Sequence, residues 1–115
     1  MKLENQVVSL ELAKKMKSLG FEQESTWHWC QEQIERWERP FLLQGHGMHK
    51  EYYSAYTVAE LGEMLPLEIK TDRAKHINGN VLYWCEYAGY EEISANTEAN
   101  ARASMLCYLK ENKLI

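Results

Sequence analysis

The segment 81–88 constrains the fold of this chain more than any other part of the sequence. Apolar side chains alternate along it, with Val81, Tyr83, Cys85 and Tyr87 on one side and Leu82 and Trp84 on the other. Asn78-Gly79 before it is a strong hairpin-turn signal, and Gly89 after it permits a reversal into 91–95. The sequence therefore predicts an antiparallel hairpin in its second half.

A second set of strands is predicted nearer the start. Residues 25–31 alternate, and we expect the large Trp27 and Trp29 to face the core, with Thr26, His28 and Cys30 on the other side. The charged stretch 32–39 predicts a surface turn or a twisted hairpin end. Pro40 limits 41–44 to an edge strand or a loop, because proline cannot donate to a ladder. A surface loop is expected over 45–53 and a strand over 67–71.

Three helices are predicted from their capping residues. Ser9 and Gly20 bound a helix over 10–19. Thr57 followed by Glu60 forms a capping box for a helix over 58–65. Asn96 or Thr97 caps a final, alanine-rich helix that runs to about residue 111.

The final helix carries two apolar faces when its residues are projected at helical spacing. One face holds Ala101, Met105, Tyr108 and Leu109, and the other holds Ala99, Ala103, Leu106 and Cys107. Two apolar faces need two partners. We expect one partner to be the sheet, and the other to be either the first helix or a second copy of the chain in a homodimer.

These elements predict an α+β fold, with an antiparallel sheet of two hairpins covered by helices on one face and the order α-ββ-α-ββ(β)-α. The 115 residues, 45% of them hydrophobic and 26% charged, suit a single domain over 1–115.

Net charge and cysteine content restrict the partners and the cellular location that we expect for the protein. A net charge of −4 weighs against general nucleic-acid binding, which depends on basic residues that neutralise phosphates. Cys30, Cys85 and Cys107 are odd in number and widely separated, so we expect reduced thiols. No apolar run reaches the roughly 20 residues of a membrane span. These features favour a cytoplasmic protein with no membrane association.

Three stretches carry a resemblance: VVSLELAKKMKSLGFEQES at 7–25, YSAYTVAELGEMLP at 53–66 and TEANARASMLCYLKENKLI at 97–115. Together they resemble a group of small uncharacterised proteins encoded by phages and prophages, chiefly of gut bacteria. The resemblance implies an accessory protein of a mobile element, and it supplies no catalytic or binding residues.

Metal binding is the first chemistry to consider. His28 and Cys30 point the same way on a strand, and the loop pair His46 and His49 could approach them. Zinc usually needs two short-spaced ligand pairs, and the sequence has no CxxC. We therefore predict no metal and no other cofactor, and a metal-dependent hydrolase is the third choice of function.

Other catalytic signatures are also missing. Glu60 with Glu63, or Glu91 with Glu92, would supply a carboxylate pair, but nothing marks a raised pKa and Glu60 already has a capping role. Gly45-His-Gly47 lacks the strand, helix and lysine of a phosphate loop. Residues 9–21 read like the first helix of a helix-turn-helix, yet a strand follows. The sequence predicts a protein that is not an enzyme.

The remaining feature is a high density of Trp and Tyr. Such side chains either fill a thin core or are enriched in binding surfaces. The leading hypothesis is a protein-interaction module with an unknown protein partner, whose candidate contact residues are Trp37, Tyr52, Tyr53, Tyr56 and Leu106. The alternative is a nucleic-acid-associated regulator that uses Lys14, Lys15 and Lys17 together with surface aromatics.

Overall fold

The computed structural model describes residues 2–34, 37–45, 52–66, 69–75, 79–87 and 91–115, and it describes side chains except at 31–40 and 75. The elements in chain order are α1 (Leu3–Gln6), α2 (Leu10–Ser18), β1 (Trp27–Ile34), β2 (Trp37–Gln44), β3 (Tyr52–Ser54), α3 (Val58–Met64), β4 (Ile69–Lys75), β5 (Val81–Tyr87), β6 (Glu91–Ala95) and α4 (Glu98–Glu111). The α+β class is confirmed, and the predicted order of elements broadly matches.

The predicted capping residues start the three main helices. Ser9 Oγ accepts a hydrogen bond from the Leu12 amide at 3.4 Å, and Thr97 Oγ1 accepts one from the Asn100 amide at 3.1 Å. Thr57 and Glu60 form the full capping box. Each cap satisfies an amide that has no partner inside its helix, which typically stabilises the helix by about 1 kcal/mol.

The strands form two antiparallel sheets of three rather than one sheet of two hairpins, with orders β2-β1-β3 and β4-β5-β6. The strand β3 begins within the segment 45–53, which was predicted as a loop; residues 46–51 lie outside the described part. Three residues are too few to show an alternating pattern, which explains the error at β3.

The segment 41–44, predicted as an edge strand or a loop, belongs with Pro40 to an edge strand, because β2 ends the order of the first sheet. In β1 the Trp27 carbonyl accepts a hydrogen bond from Ala55, so the backbone of Trp27 faces the β3 side. The alternation of an antiparallel ladder then directs the backbone nitrogen of Pro40, which opposes Gln31, to the outer edge. The missing N–H costs no ladder hydrogen bond at that position.

Of the two tryptophans of β1 that were predicted to face the core, Trp29 does so, but His28 and Cys30 on the opposite side are more deeply buried. Cys30 is fully buried and His28 is 2% exposed, whereas Trp27 and Trp29 are half-buried. Trp29 does pack against a core, and its Nε1 donates to the Val8 carbonyl at 2.8 Å. A large indole retains some exposed surface even when it packs well, while the smaller His and Cys side chains are enclosed completely.

The two apolar faces of α4 are confirmed, and each contributes to a different hydrophobic core. Ala99, Ala103, Leu106 and Cys107 join a core with Met16 of α2 and Leu61 of α3. Ala101, Met105 and Leu109 join a second core with Cys85 of β5. Because both faces are covered within one chain, the basis for proposing a homodimer through this helix is removed.

Candidate interaction surface

Residues from both binding hypotheses meet at one place. Lys14 and Lys17 of α2 lie against Tyr52 and Tyr53 of β3, and we call these four residues the lysine–tyrosine surface. Lys17 Nζ is 4.8 Å from the centroid of the Tyr52 ring and 4.9 Å from that of Tyr53. Lys14 Nζ is 5.6 Å from the Tyr53 centroid. These distances are typical of cation–π contacts.

The helix and the strand position the surface for simple reasons. Ala13 and Met16 are buried, so α2 docks by its apolar side and leaves Lys14 and Lys17, three residues apart, exposed and adjacent. Tyr53 opposes Trp29 in the β1–β3 ladder, and Tyr52, the residue before it, lies on the opposite face of the strand. The ammonium group of Lys17 lies at the outer edge of β3, and from there it contacts the rings on both faces of the strand.

Side chains close the outer edge of β3. Because Ala55 donates to Trp27, the alternation of the ladder turns the backbone groups of Tyr52 and Ser54 outward. Lys17 Nζ donates to the Tyr52 carbonyl at 2.8 Å, and the Ser54 amide donates to Gln23 Oε1 at 2.7 Å. An edge covered in this way does not readily accept a further strand. The role of Gln23 was not predicted from the sequence, because no local pattern links it to residue 54.

His28 lies against Tyr52 and connects the segment before β1 with the end of β2. Its Nδ1 lies 2.8 Å from the Gly45 carbonyl oxygen and its Nε2 lies 2.9 Å from that of Gln23. The His28 and Tyr52 rings meet edge to face, with centroids 5.5 Å apart. Both ring nitrogens therefore have structural partners.

The part of the chain that the structure describes shows no group of side chains arranged to bind a metal ion. No three His, Cys, Asp or Glu side chains there are placed to share an ion. His46 and His49, which were considered as ligands, lie outside the described residues.

Lys15 does not belong to the lysine–tyrosine surface, although it was predicted to act with Lys14 and Lys17. Its Nζ forms a salt bridge with Glu111 at 2.8 Å, and both side chains are about half exposed. The hydrogen bond that Lys15 donates to the Glu111 carboxylate raises the pKa of Lys15. The predicted cluster of three lysines is therefore divided between two sites.

Two of the predicted partner-binding residues are not at the surface. Leu106 is fully buried and Tyr56 is 6% exposed, and both belong to the core shared by α2, α3 and α4. Burial also raises the pKa of the Tyr56 phenol. Leu106 is enclosed because the helix face it occupies packs inside the chain. The side chain of Trp37 lies outside the described part, so this prediction remains open.

The three thiols are buried and held in the protonated form. Burial raises the pKa of Cys30 and of Cys85, and it raises the pKa of Cys107 to about 11. A thiol is a nucleophile only as the thiolate. These cysteines act as packed apolar side chains.

The carboxylates considered for acid–base chemistry have structural roles or lie apart. Glu60 accepts from the Thr57 amide at 2.9 Å and from the Thr26 amide at 3.1 Å, so it joins α3 to the start of β1. Glu91 and Glu92 are neighbours in β6 and therefore point to opposite faces of the sheet.

Open clefts lie near the start of α4. One of about 420 Å³ and another of about 300 Å³ share Tyr83 and Glu98 in their walls. The Glu98 carboxylate is already paired with Arg102 at 3.1 Å, and Arg102 also donates to the Val58 carbonyl at 2.7 Å.

No helix in the described part of the chain has the length and apolar character needed to cross a bilayer. Comparison with protein-family models, with curated proteins and with solved structures finds no match to this chain.

Proposed function

We propose that this protein is a non-enzymatic protein-interaction module of a phage or other mobile element, and that the lysine–tyrosine surface is its contact site. The observation that carries the proposal is the position of Lys17 between the rings of Tyr52 and Tyr53. Residues from two distant parts of the sequence converge there on a half-buried aromatic patch with a cationic rim.

The chemistry of this patch favours an acidic protein partner. Tyrosine provides a large contact area at a low cost in conformational entropy, and its hydroxyl group can pair with polar groups. Lys14 and Lys17 are exposed, so their ammonium groups can meet carboxylates of the partner. The hydrogen bond to the Tyr52 carbonyl and the ring contacts preorganise Lys17, which lowers the cost of binding.

Affinity capture from the bacterium that carries the gene tests this proposal. The wild-type chain is compared with Lys14→Glu/Lys17→Glu, which reverses the rim, and with Lys113→Glu, which makes one of the same charge changes at an exposed position beyond α4. We expect a specific protein to be retained by the wild type and by Lys113→Glu, and to be lost from the double variant. Equal retention by all three folded proteins would contradict the proposal.

Single-stranded nucleic acid is the second candidate, because lysines beside aromatic rings are typical of such sites. Two observations weigh against it: Lys15 is paired with Glu111 elsewhere, and ammonium groups lie over the ring faces on which bases would stack. Titration of a labelled single-stranded oligonucleotide at two salt concentrations distinguishes the candidates. Salt-dependent binding that Lys14→Glu/Lys17→Glu abolishes would favour the second.

A further inference from the structure

The second sheet has one face that α4 covers and one face that it does not. The covered face holds Cys85, which is buried against Met105 and Leu109 of α4. Side chains alternate along a strand, so Leu82 and Trp84 of β5 point to the other face. Both are half-buried, and neither is among the described residues that pack against the two cores.

The ladder register places charged residues around Trp84. Asp72 of β4 is its direct partner. In the next row on the same face, Glu86 lies between Lys70 of β4 and Glu92 of β6. We define the Trp84 face as Lys70, Asp72, Leu82, Trp84, Glu86 and Glu92.

The charge of this face is complementary to a cation. Three carboxylates and one ammonium give a formal charge of −3 + 1 = −2. Tryptophan has the ring face that attracts a cation most strongly, and arginine is the commonest cation in such contacts. Asp72 and Glu92 lie on the two neighbouring strands and Glu86 lies two residues along β5 from Trp84, so further basic groups would find partners on the same face.

The size of the face favours a short segment over a second copy of the chain. Each strand occupies a width of about 4.8 Å and rises about 3.3 Å per residue, so three strands paired over five residues present a flat area of about 240 Å². A stable interface between domains buries about 800 Å² on each partner. A symmetric dimer through this face would also place carboxylates against carboxylates, which repel.

We propose that the Trp84 face binds a short cationic segment of a partner protein, with an arginine or lysine side chain over the Trp84 indole and neighbouring basic side chains paired with Asp72, Glu86 and Glu92. This face lies on a different sheet from the lysine–tyrosine surface. Substitutions at one therefore leave the other intact, and the two proposals can fail separately.

Titration of the isotope-labelled full chain with a capped oligoarginine peptide, followed by NMR, tests the proposal. We expect saturable shifts of the Trp84 indole N–H and of β5 amides. Trp84→Leu, which keeps an apolar side chain, should weaken binding at least about fivefold, as expected for the loss of a cation–π contact of about 1 kcal/mol. Glu86→Gln/Glu92→Gln should weaken binding by a similar factor.

The matched control is Glu4→Gln/Glu63→Gln, which removes two exposed carboxylates from α1 and α3 and should leave the affinity unchanged. Shifts that do not saturate, or an equal loss of affinity in the control, would show attraction to the acidic chain in general and overturn the proposal. Unchanged binding by Glu86→Gln/Glu92→Gln would overturn it too, and that variant decides the matter if Trp84→Leu does not fold.

Discussion

Lys17 contacts Tyr52 twice: its ammonium donates to the Tyr52 carbonyl at 2.8 Å and lies 4.8 Å from the centroid of the Tyr52 ring. Lys17→Met keeps most of the apolar stem and removes both contacts. We expect it to lower the free energy of unfolding by about 1 kcal/mol, since the outward carbonyl of an edge strand loses its partner. Urea denaturation measures the change.

The matched control for that prediction is Lys14→Met, because Lys14 has a ring contact at 5.6 Å and sits on the same helix. We expect a loss of less than about 0.5 kcal/mol for this exposed side chain. Sedimentation analysis should also show more self-association for Lys17→Met than for Lys14→Met, because the edge of β3 is less protected. Equal behaviour of the two variants would contradict the proposed protection of the edge.

Leu106→Ala tests the corrected assignment of this residue to the core. Leu106 is fully buried, so its truncation should destabilise the fold by about 2 to 5 kcal/mol through lost burial and a cavity. Leu114→Ala, at a side chain that is 49% exposed, should change stability by less than about 0.5 kcal/mol. Thermal unfolding followed by circular dichroism compares the two. Near-equal stability of both variants would place Leu106 at the surface after all.

Cys107 should make the fold less stable at high pH. Its pKa rises from an ordinary value of 9.0 to about 11 on folding, so the folded state keeps the proton that the unfolded state loses. This contribution to stability is fully present below pH 9 and is lost as the pH rises toward 11, amounting to about 2 kcal/mol.

The measurement compares wild type with Cys107→Ala, which lacks the titrating group and leaves the other buried acids in place. The free energy of unfolding of wild type should fall more steeply with pH above 9.0 than that of the variant. Parallel pH profiles would show that Cys107 titrates alike in the folded and unfolded states.

Arg102 is the reason that we expect no gain in stability when Gly62 is replaced by alanine. A Cβ at position 62 would lie 2.5 Å from Arg102 Nη1, which donates to the Val58 carbonyl. Alanine is normally better than glycine inside a helix by about 1 kcal/mol. We expect Gly62→Ala to leave the stability of wild type nearly unchanged, because the guanidinium must shift and weaken its part-buried hydrogen bond, which offsets that gain by about 1 kcal/mol.

In an Arg102→Met background the same substitution should instead stabilise the protein by up to about 1 kcal/mol. Chemical denaturation of the two single variants and the double variant supplies the full cycle. An equal gain in both backgrounds would show that Arg102 is not the cause.

Local chemistry allowed much of this fold to be predicted. Ser9, Thr57 and Thr97 cap their helices through bonds to residues three positions ahead, and such signals lie within a few residues of sequence. The two faces of α4 follow from helical spacing alone. By contrast, the burial of His28 and Cys30 depends on which face of the first sheet is enclosed, and that is a tertiary property.

The candidate surfaces were only partly predictable for the same reason. Lys17 and Tyr52 were each singled out, but they are 35 residues apart and no local rule joins them. Tyr56 and Leu106 were misplaced because an aromatic or apolar residue gives the same sequence signal whether it faces a partner or the core. Trp84 was assigned to the correct strand, and its neighbours could be identified only from the register of β4 and β6.

The position of α4 between the two cores has a consequence for how the chain loses its structure. Trp29 and Tyr53 of the first sheet pack against the core on one side of this helix, and the second sheet packs on its other side, so detachment of the helix would disrupt both cores together. Amide hydrogens deep in β1 and in β5 should accordingly exchange with solvent through one shared opening event, at the same rate and with the same response to denaturant.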